Sequence, residues 1–284
     1  MLGPVDVGKT TAATALANAA VRAGRPTAVV DADTGQSDIG PPATVALGLP
    51  QHPVRAMADL PAAAAYFVGD TSPRRVYRWL VEGAVRLVGR ARARGAEVVV
   101  VDTTGWVEGP AAVAVKVHKI GRIDPRHVIA IQREEEVEPI LARLSGRIAV
   151  HRFRPSPAVR PRSSEERRAI RERRFHGYFG HAHRHVLHLA ALQALRPATY
   201  ARRKVPQTRM LTEIPAAALR HLLVGLADQE GWLQAMGTVV ATDPGRQEVT
   251  VAAPLSTLTE VRGLQWGVLR VAPSGLEEGR LRAT

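Results

Sequence analysis

The stretch Gly3-Pro4-Val5-Asp6-Val7-Gly8-Lys9-Thr10 decides the fold, because a glycine, four residues and then Gly-Lys-Thr is the spacing of a loop that binds phosphate groups. Its glycines let backbone N–H groups wrap around phosphate oxygens, and the helix beginning near Lys9 directs the positive end of its dipole at them. In such loops the lysine reaches the β- and γ-phosphates, and the next hydroxyl ligates Mg²⁺. We therefore predict that residues Gly3 to Thr11 bind nucleotide, with Lys9 on the phosphates and Thr10 on the metal.

Strand-like and helix-like segments alternate after this phosphate loop (residues 3–10). Short apolar segments with the composition of buried strands lie at 26–30, 97–101 and 127–131. Segments with helical spacing of apolar residues lie at 10–23, 74–94 and 137–144. This alternation predicts an α/β fold in which a parallel sheet is flanked by helices.

The character of the chain changes after about Pro206. Short strands separated by turn residues then follow, at 237–242, 248–252 and 267–271. We predict a P-loop domain over residues 1–207 and a small, β-rich C-terminal domain over 208–284. A phosphate loop ordinarily follows a strand, and only Met1 and Leu2 precede Gly3, so we expect the first strand to be truncated and the fold to be less stable for it.

The overall composition narrows the function classes. The 284 residues carry a net charge of +13, which favours a polyanionic partner such as nucleic acid. A GC-rich genome explains why arginine outnumbers lysine, but it does not explain the net charge. No run of about 18 apolar residues occurs, so we expect no membrane partner. The absence of cysteine excludes disulfides and thiolate metal sites and, with no signal-peptide pattern, predicts a cytoplasmic protein.

Acidic residues follow two of the predicted strands. Asp31 and Asp33 come after the first, with Gln36 close behind, and Asp102 comes after the next. The carboxyl ends of parallel strands face the crevice in which ligands bind. One carboxylate there can accept a proton from an attacking hydroxyl while another joins the Mg²⁺ shell, and Asp102 fits the metal-shell position. The alternative for Asp31 to Gly35 is a turn that merely ends a strand.

The turn Thr103-Thr104-Gly105-Trp106 directly follows Asp102. Trp106 is one of only four tryptophans. It is either a core residue, which is the usual fate of tryptophan, or a platform on which a nucleic-acid base stacks.

An arginine-rich segment lies at 152–174, with nine arginines and three glutamates. Ser163 and Glu166 have the spacing of a capping box, which predicts a helix start. Arg167, Arg171 and Arg174 then share one helix face, which suits a clamp on a transferring phosphoryl group or a nucleic-acid backbone. The alternative is a solvated basic helix with glutamate partners. Five histidines between 176 and 188 favour a surface cluster or phosphate contacts over a metal site.

Taken in order, these motifs resemble those of the polynucleotide 5′-hydroxyl kinases. That family includes the kinase subunit of the eukaryotic pre-mRNA cleavage factor, the kinase of pre-ribosomal RNA processing, and bacterial and archaeal relatives. Its second motif is Asp-x-Asp-x-Gly-Gln, its third, the clasp, is Thr-x-Gly-Trp, and its lid carries Arg-x-x-x-Arg. The resemblance spans about residues 3–180.

The resemblance implies an ATP- and Mg²⁺-dependent enzyme that transfers the γ-phosphate of ATP to the 5′-hydroxyl end of RNA, with DNA as the alternative substrate. It implies that Asp31 activates the hydroxyl and that Asp33 and Gln36 support Mg²⁺ and its waters. It places Thr103 and Gly105 in the clasp that holds the nucleic-acid end, and we expect Trp106 and Arg174 to contact nucleic acid as well. The lid over the phosphates (about 152–180) contains Arg167 and Arg171.

Three other functions remain open. A MinD-like partition or metal-insertion ATPase shares the Asp-x-Asp-x-Gly turn, but that class has a second lysine five residues before the loop lysine, where this chain has Pro4. A non-catalytic, ATP-binding scaffold of an RNA-processing complex is the second. A basic nucleic-acid-binding module with a vestigial phosphate loop is the third. The presence of Lys9, Asp31, Arg167 and Arg171 together favours catalysis.

Overall fold

A computed structural model describes residues 1–196, 198–200 and 203–281. The chain forms two compact units. The phosphate-loop unit comprises Met1–Gly40, Thr44–Ala65 and Ser72–Arg167. The C-terminal unit comprises Pro41–Ala43, Tyr66–Thr71 and Arg168–Thr284. The division lies nearer the N-terminus than the boundary predicted after residue 207, and residues 282–284 of the predicted C-terminal domain lie outside the described residues.

Helices and strands alternate through the first part of the chain as the apolar patterns predict. The helices are α1 (Lys9–Arg22), α2 (Pro73–Ala93), α3 (Pro110–Ile123) and α4 (Glu138–Leu141). The strands are β1 (Thr27–Ala32), β2 (Thr44–Gly48), β3 (Ala62–Phe67), β4 (Val98–Thr103), β5 (His127–Ile131) and β6 (Ala149–Phe153). A 3₁₀ turn covers Met57–Asp59. The helix predicted over 137–144 shortens to the single turn α4.

The sheet of the phosphate-loop unit has a parallel centre. Strands run in the order β3-β2-β1-β4, and β1 pairs with β4 in parallel so that Asp31 lies opposite Asp102. β5 and β6 form a second parallel pair. Between them, the Met1 amino group donates to the Val101 carbonyl at 2.7 Å and Leu2 bridges Ala130 of β5 in parallel. The predicted parallel sheet is therefore confirmed, with one addition, because β2 pairs antiparallel to β1.

Small apolar side chains let the helices approach this sheet closely. Ala13 and Ala17 of α1 are fully buried against Val29 of β1. On the other part of the sheet, Leu2 packs in a cluster with Ile140. An Ala- and Val-rich core follows from a chain with only 4% aromatic residues.

Helix α5 (Ser164–Phe179) begins with the predicted capping box. The Ser163 N–H donates to the Glu166 carboxylate at 2.6 Å, and the Glu166 N–H donates to the Ser163 hydroxyl at 3.1 Å. This reciprocal pair satisfies two backbone donors that a helix start leaves open. The arginine-rich helix is thus confirmed, and its first residues belong to the phosphate-loop unit while the remainder belongs to the C-terminal unit.

The C-terminal unit is strand-rich, as predicted. Its strands are β7 (His183–His188), β8 (Gln193–Arg196), β9 (Ala198–Tyr200), β10 (Arg203–Val205), β11 (Leu222–Ala227), β12 (Leu233–Asp243), β13 (Glu248–Ala253), β14 (Gly263–Val271) and β15 (Glu277–Arg280). Short helices are α6 (Met210–Glu213) and α7 (Ala216–Leu219), and 3₁₀ turns cover Leu189–Ala191 and Gln207–Arg209. The main sheet has the order β15-β14-β11-β12-β13-β7, with β8 beside β14. Because β7 pairs with β13, a segment that precedes residue 207 belongs to this unit.

None of the helices in the described part of the chain combines the length and apolar character that crossing a bilayer requires.

The centre of the C-terminal unit depends on a glycine. Gly225 lies in β11, and a Cβ atom there would stand 2.6 Å from the ring of Phe67, which is fully buried. Any other residue at this position must push the ring aside in a packed core.

We expect Gly225→Ala to destabilise the protein by about 1–3 kcal/mol, the usual cost of an overpacked core. Urea unfolding followed by circular dichroism measures the change. The control is Gly89→Ala in α2, where the new methyl group meets nothing within 4 Å apart from the backbone of its own helix. That substitution should stabilise by about 1 kcal/mol, because alanine is the better helix former. Equal midpoints for the two variants would contradict the role of Phe67.

Candidate phosphate-binding and transfer site

Two glycines give the phosphate loop its shape. Gly8 caps the start of α1 in the left-handed conformation (φ 83°, ψ 22°). Gly3 has φ 156°, and a Cβ atom there would stand 2.2 Å from the Ile131 carbonyl oxygen of β5. Both positions therefore exclude larger residues. The loop leads directly into the N-terminus of a 14-residue helix, which suits an anion.

The Lys9 side chain folds back onto the phosphate loop. Its ammonium group donates to the Pro4 carbonyl at 2.6 Å, and the side chain is buried. Burial lowers the pKa of Lys9, and the carboxylates of Asp102, Asp33 and Asp6 oppose that shift. Phosphate oxygens are stronger acceptors than a backbone carbonyl, so the ammonium group is placed to exchange one for the other.

Thr10 and Asp102 lie together, as the predicted metal shell requires. The Thr10 hydroxyl donates to Asp102 Oδ2 at 2.5 Å, and the Thr103 N–H donates to the other carboxylate oxygen at 2.8 Å. Burial raises the pKa of Asp102, while the hydrogen bond from Thr10 and the charge of Lys9 lower it. A hydroxyl and a carboxylate at one point are oxygen ligands of the type that Mg²⁺ prefers.

Both carboxylate oxygens of Asp31 accept hydrogen bonds from the protein. Its Oδ1 accepts the Asp33 N–H at 3.0 Å, and its Oδ2 accepts the Asp38 N–H at 2.6 Å, the Ile39 N–H at 2.9 Å and the Ser37 hydroxyl at 3.2 Å. Burial raises the pKa of Asp31 to about 8, with Asp102 adding to the rise and the backbone donors opposing it. This carboxylate organises the turn that follows β1, and only 2% of the residue is exposed.

Asp33 is more accessible than Asp31. One of its oxygens accepts the Gly35 and Gln36 N–H groups at 3.0 and 3.1 Å, and the other makes no hydrogen bond to any residue in the described ranges. The Gln36 amide donates to the Arg167 carbonyl at 3.3 Å, and its own oxygen is buried without a hydrogen-bond partner among those residues. The two side chains thus retain oxygens for a ligand.

The lid arginines have different partners. Arg167 donates to Asp6 of the phosphate loop at 3.0 Å, which places a second cation beside the loop. Arg171 makes a two-point ion pair with Glu277 in the C-terminal unit, at 2.5 and 3.1 Å. Arg174 is half-buried farther along the same helix. The expected set on one helix face is therefore present, but Arg167 and Arg171 bind separate carboxylates.

The clasp (residues 103–106) packs onto the phosphate loop. A Cβ atom at Gly105 would stand 2.5 Å from the Val5 backbone nitrogen and 2.7 Å from its Cα. The Thr103 hydroxyl donates to the Met1 carbonyl at 2.8 Å. The glycine of the clasp is therefore needed for close contact with the loop itself.

Sequence reasoning missed the residue that holds the clasp. Lys116 of α3 is buried, and its ammonium group donates to the Thr103 hydroxyl at 2.9 Å, the Thr104 carbonyl at 2.5 Å and the Thr104 hydroxyl at 3.3 Å. Lys119, one helical turn further, is also buried, and burial lowers its pKa to about 8. A signal existed, because the chain has only four lysines and two of them lie in α3, the first helix after the clasp motif.

Trp106 is half-buried and does not lie in the core. The Arg74 guanidinium lies 5.6 Å from the centre of its ring, a cation–π arrangement.

A cavity of about 610 Å³ opens at the carboxyl ends of β5 and β6. Its lining comprises 132–135 and 152–154. Arg133 from this wall donates to the Asp6 carbonyl of the phosphate loop at 2.7 Å, so the cavity adjoins the loop. Phe153 in the wall is 53% exposed.

The histidines predicted to lie at the surface are largely exposed, and three of them occupy β7. Across the described ranges, histidine, aspartate and glutamate nowhere gather in threes in a metal-binding arrangement.

A phosphate loop on a parallel sheet, with a buried aspartate against the loop threonine, defines a P-loop nucleotide-binding protein. The family described as mRNA cleavage and polyadenylation factor CLP1 P-loop matches residues 3–181. The chain belongs to this family, and the resemblance read from the motifs is confirmed.

Similar proteins extend the match over the whole chain. The polyribonucleotide 5′-hydroxyl-kinase of Pyrococcus furiosus is 27% identical over 99% of this chain and 89% of its own length. That of Thermococcus kodakarensis is 29% identical over 99% and 90%. The CLP1 homologue of Nematostella vectensis is 29% identical over 63% of this chain and 44% of its own length. The wild-type Clp1p–Pcf11p complex contains a chain with the same fold (TM-score 0.67, 12% identity, 95% of this chain and 73% of that one).

We expect Gly105→Ala to weaken nucleotide binding by about tenfold or more, roughly 1.4 kcal/mol, because the new methyl group displaces the Val5 backbone. Isothermal titration with ATP measures the dissociation constant. The control is Gly121→Ala in α3, where the new methyl group meets nothing within 4 Å apart from the backbone of its own helix. If the two variants bind ATP equally well, the contact between clasp and loop does not shape the nucleotide site.

Proposed function

We propose that this protein is an ATP-dependent polynucleotide 5′-hydroxyl kinase that acts on RNA. The observation that carries this proposal is the similarity over 99% of the chain to relatives named polyribonucleotide 5′-hydroxyl-kinases. The site geometry supports the same chemistry, since it combines a phosphate loop, strand-end carboxylates and an adjoining clasp. The cytoplasmic location stays a prediction from the composition.

Nucleotide binding is assigned to residues 3–11. Backbone N–H groups of the loop and the start of α1 would hold the phosphates, with Lys9 releasing Pro4 to bind them. The nucleoside then extends from the loop toward the cavity of about 610 Å³. This cavity adjoins the loop because Arg133 in its wall donates a hydrogen bond to the Asp6 carbonyl. Exposed Phe153 in that cavity offers a flat apolar face to a base.

The residues at the carboxyl end of the sheet fit a Mg²⁺ ion. Thr10 and Asp102 offer a hydroxyl and a carboxylate 2.5 Å apart, and the Gln36 side-chain oxygen, which has no hydrogen-bond partner among the described residues, adds a third oxygen. Such a set of hard oxygen donors suits Mg²⁺. When bound, Mg²⁺ neutralises charge on the β- and γ-phosphate oxygens.

We assign the role of proton acceptor to Asp33, although the motif alone suggests Asp31. Both oxygens of Asp31 accept hydrogen bonds from the turn that it organises. Asp33 retains an oxygen without a hydrogen bond to the described chain and is only half-buried. A carboxylate must be accessible to take the proton of an attacking hydroxyl.

Arg167 is the lid residue with the best support for a clamp on the transferring phosphoryl group. Its guanidinium group lies 3.0 Å from Asp6 in the middle of the loop. Arginine stabilises the charge that spreads over the equatorial oxygens in phosphoryl transfer. Arg171 holds Glu277 in a two-point ion pair, so its role in the lid stays a prediction.

The proposal is tested by incubating the protein with γ-labelled ATP, Mg²⁺ and single-stranded RNA that ends in a 5′-hydroxyl. Label should appear on this RNA and not on the same RNA with a 5′-phosphate. Lys9→Ala should reduce transfer to background, because the lysine neutralises the phosphates. ATP binding by the wild type without transfer to RNA or DNA would instead favour a scaffold.

Substitutions of Asp31 and Asp33 should have different effects, one on stability and the other on catalysis. Asp33→Asn should lower kcat by about 10²–10⁴-fold with an unchanged melting temperature, because it removes the proton acceptor. Asp31→Asn should lower stability by about 1–3 kcal/mol, since one carboxamide oxygen cannot accept all of the bonds. Steady-state kinetics and thermal melts measure both. If Asp31→Asn instead has normal stability and a large loss of kcat while Asp33→Asn stays active, Asp31 is the proton acceptor.

A further inference from the structure

The first turns of α2 carry a surface that the proposed chemistry does not use. Arg74, Arg75 and Arg78 are exposed, and Tyr77 among them is 37% exposed. The backbone leaves helical geometry at Val76, so the first arginines form a separate turn ahead of the main helix. We call the four exposed side chains the α2 basic surface.

This surface has no acidic counterpart. Arg74, Arg75 and Arg78 form no ion pair with any residue in the described part of the chain, and Arg78 donates a long hydrogen bond to the Tyr77 hydroxyl, at 3.5 Å. Over its whole length, α2 has six arginines and a single glutamate, Glu82. Like charges held together without partners repel one another, which favours an anionic ligand.

Three of the five arginines of α5 have carboxylate partners. Arg167 pairs with Asp6, Arg168 with Glu172, and Arg171 with Glu277. These ion pairs neutralise part of the charge of the lid, although the lid is the most arginine-rich stretch of the sequence. Counterion release on binding a nucleic acid requires cations that the protein itself has not neutralised. The α2 basic surface meets that requirement.

The α2 basic surface starts at the clasp. The Arg74 guanidinium lies over the ring of Trp106 at 5.6 Å, so the aromatic residue of the clasp and the first arginine are in contact. Tyr77 adds a second aromatic ring, which is 37% exposed, within three residues of Arg74. Cationic groups interleaved with aromatic rings are the usual means of binding a single strand without sequence preference.

We propose that the α2 basic surface binds the single-stranded polyribonucleotide just downstream of the 5′ end. The inference rests on the proposed function, which puts that end at the clasp. The arginines bind successive phosphates, and Tyr77 supplies a stacking face for a base. An acidic protein would satisfy the arginines as well, but it would not need the aromatic rings of Tyr77 and Trp106.

The test compares a dinucleotide with a 15-nucleotide RNA, both with a 5′-hydroxyl end. The variant Arg75→Gln/Arg78→Gln leaves Arg74 and the clasp unchanged. For the long RNA, KM should rise roughly tenfold at low salt, and the slope of log affinity against log salt should fall by about 1.4, or about 0.7 for each lost phosphate contact. For the dinucleotide, kcat and KM should stay within about twofold, because it does not reach the surface.

The matched control is Arg22→Gln/Arg94→Gln, which removes the same net charge from exposed positions at the ends of α1 and α2. Its KM and salt slope for the long RNA should match those of the wild type. If both double variants weaken long-RNA binding equally, or if neither does, the surface is not the path of the strand.

Direct binding of a 5′-phosphorylated 15-nucleotide RNA separates this inference from the proposed function. If the wild type transfers phosphate to no oligonucleotide but only Arg75→Gln/Arg78→Gln binds this RNA weakly, the kinase proposal fails and the strand-binding surface stands. If the wild type phosphorylates both RNAs and the variant equals it in KM and salt slope, the surface is overturned and the kinase proposal stands.

Discussion

The parallel pairing of β1 with β4 is the constraint on which the site depends. It sets Asp31 opposite Asp102, so two acidic residues far apart in sequence end at the same edge of the sheet. The phosphate loop lies at that edge because Leu2 bridges β5 and Met1 contacts β4. Thr10 can then reach Asp102. Without this register, the loop would have no carboxylate beside its hydroxyl.

Buried charge is the main energetic cost of this arrangement. Lys9, Asp31, Asp102, Lys116 and Lys119 are all nearly inaccessible to solvent. Each charge taken out of water destabilises the fold unless hydrogen bonds or opposite charges compensate it. Asp31 is compensated by the backbone of its own turn, and Lys116 by the clasp. These same hydrogen bonds also fix the loops around the site. The bonds that compensate the buried charges are therefore the ones that position the site.

The arginine-rich lid shows how ion pairing redistributes charge. The sequence concentrates arginines at 152–174, whereas the fold gives several of them carboxylate partners. One of those pairs, Arg167 with Asp6, brings a cation to the phosphate loop. The arginines at the start of α2 form no ion pair with the described residues, but the sequence does not single them out because they are fewer. What distinguishes this group is that its first member, Arg74, lies over the ring of Trp106, which is 32 residues away in the sequence.

Local patterns were enough to determine the fold class, the phosphate loop and the helix start at Ser163, because spacing, glycines and capping act over a few residues. The motifs also determined the family. Only the tertiary structure decided which carboxylate of the Asp31-to-Gln36 turn keeps a free oxygen, since that depends on backbone donors as distant as Ile39. The tertiary structure also decided that Lys116 holds the clasp and that Arg171 binds Glu277. Those partners are far apart in the chain, and a sequence does not specify which distant side chains meet until its strands have paired and its helices have packed.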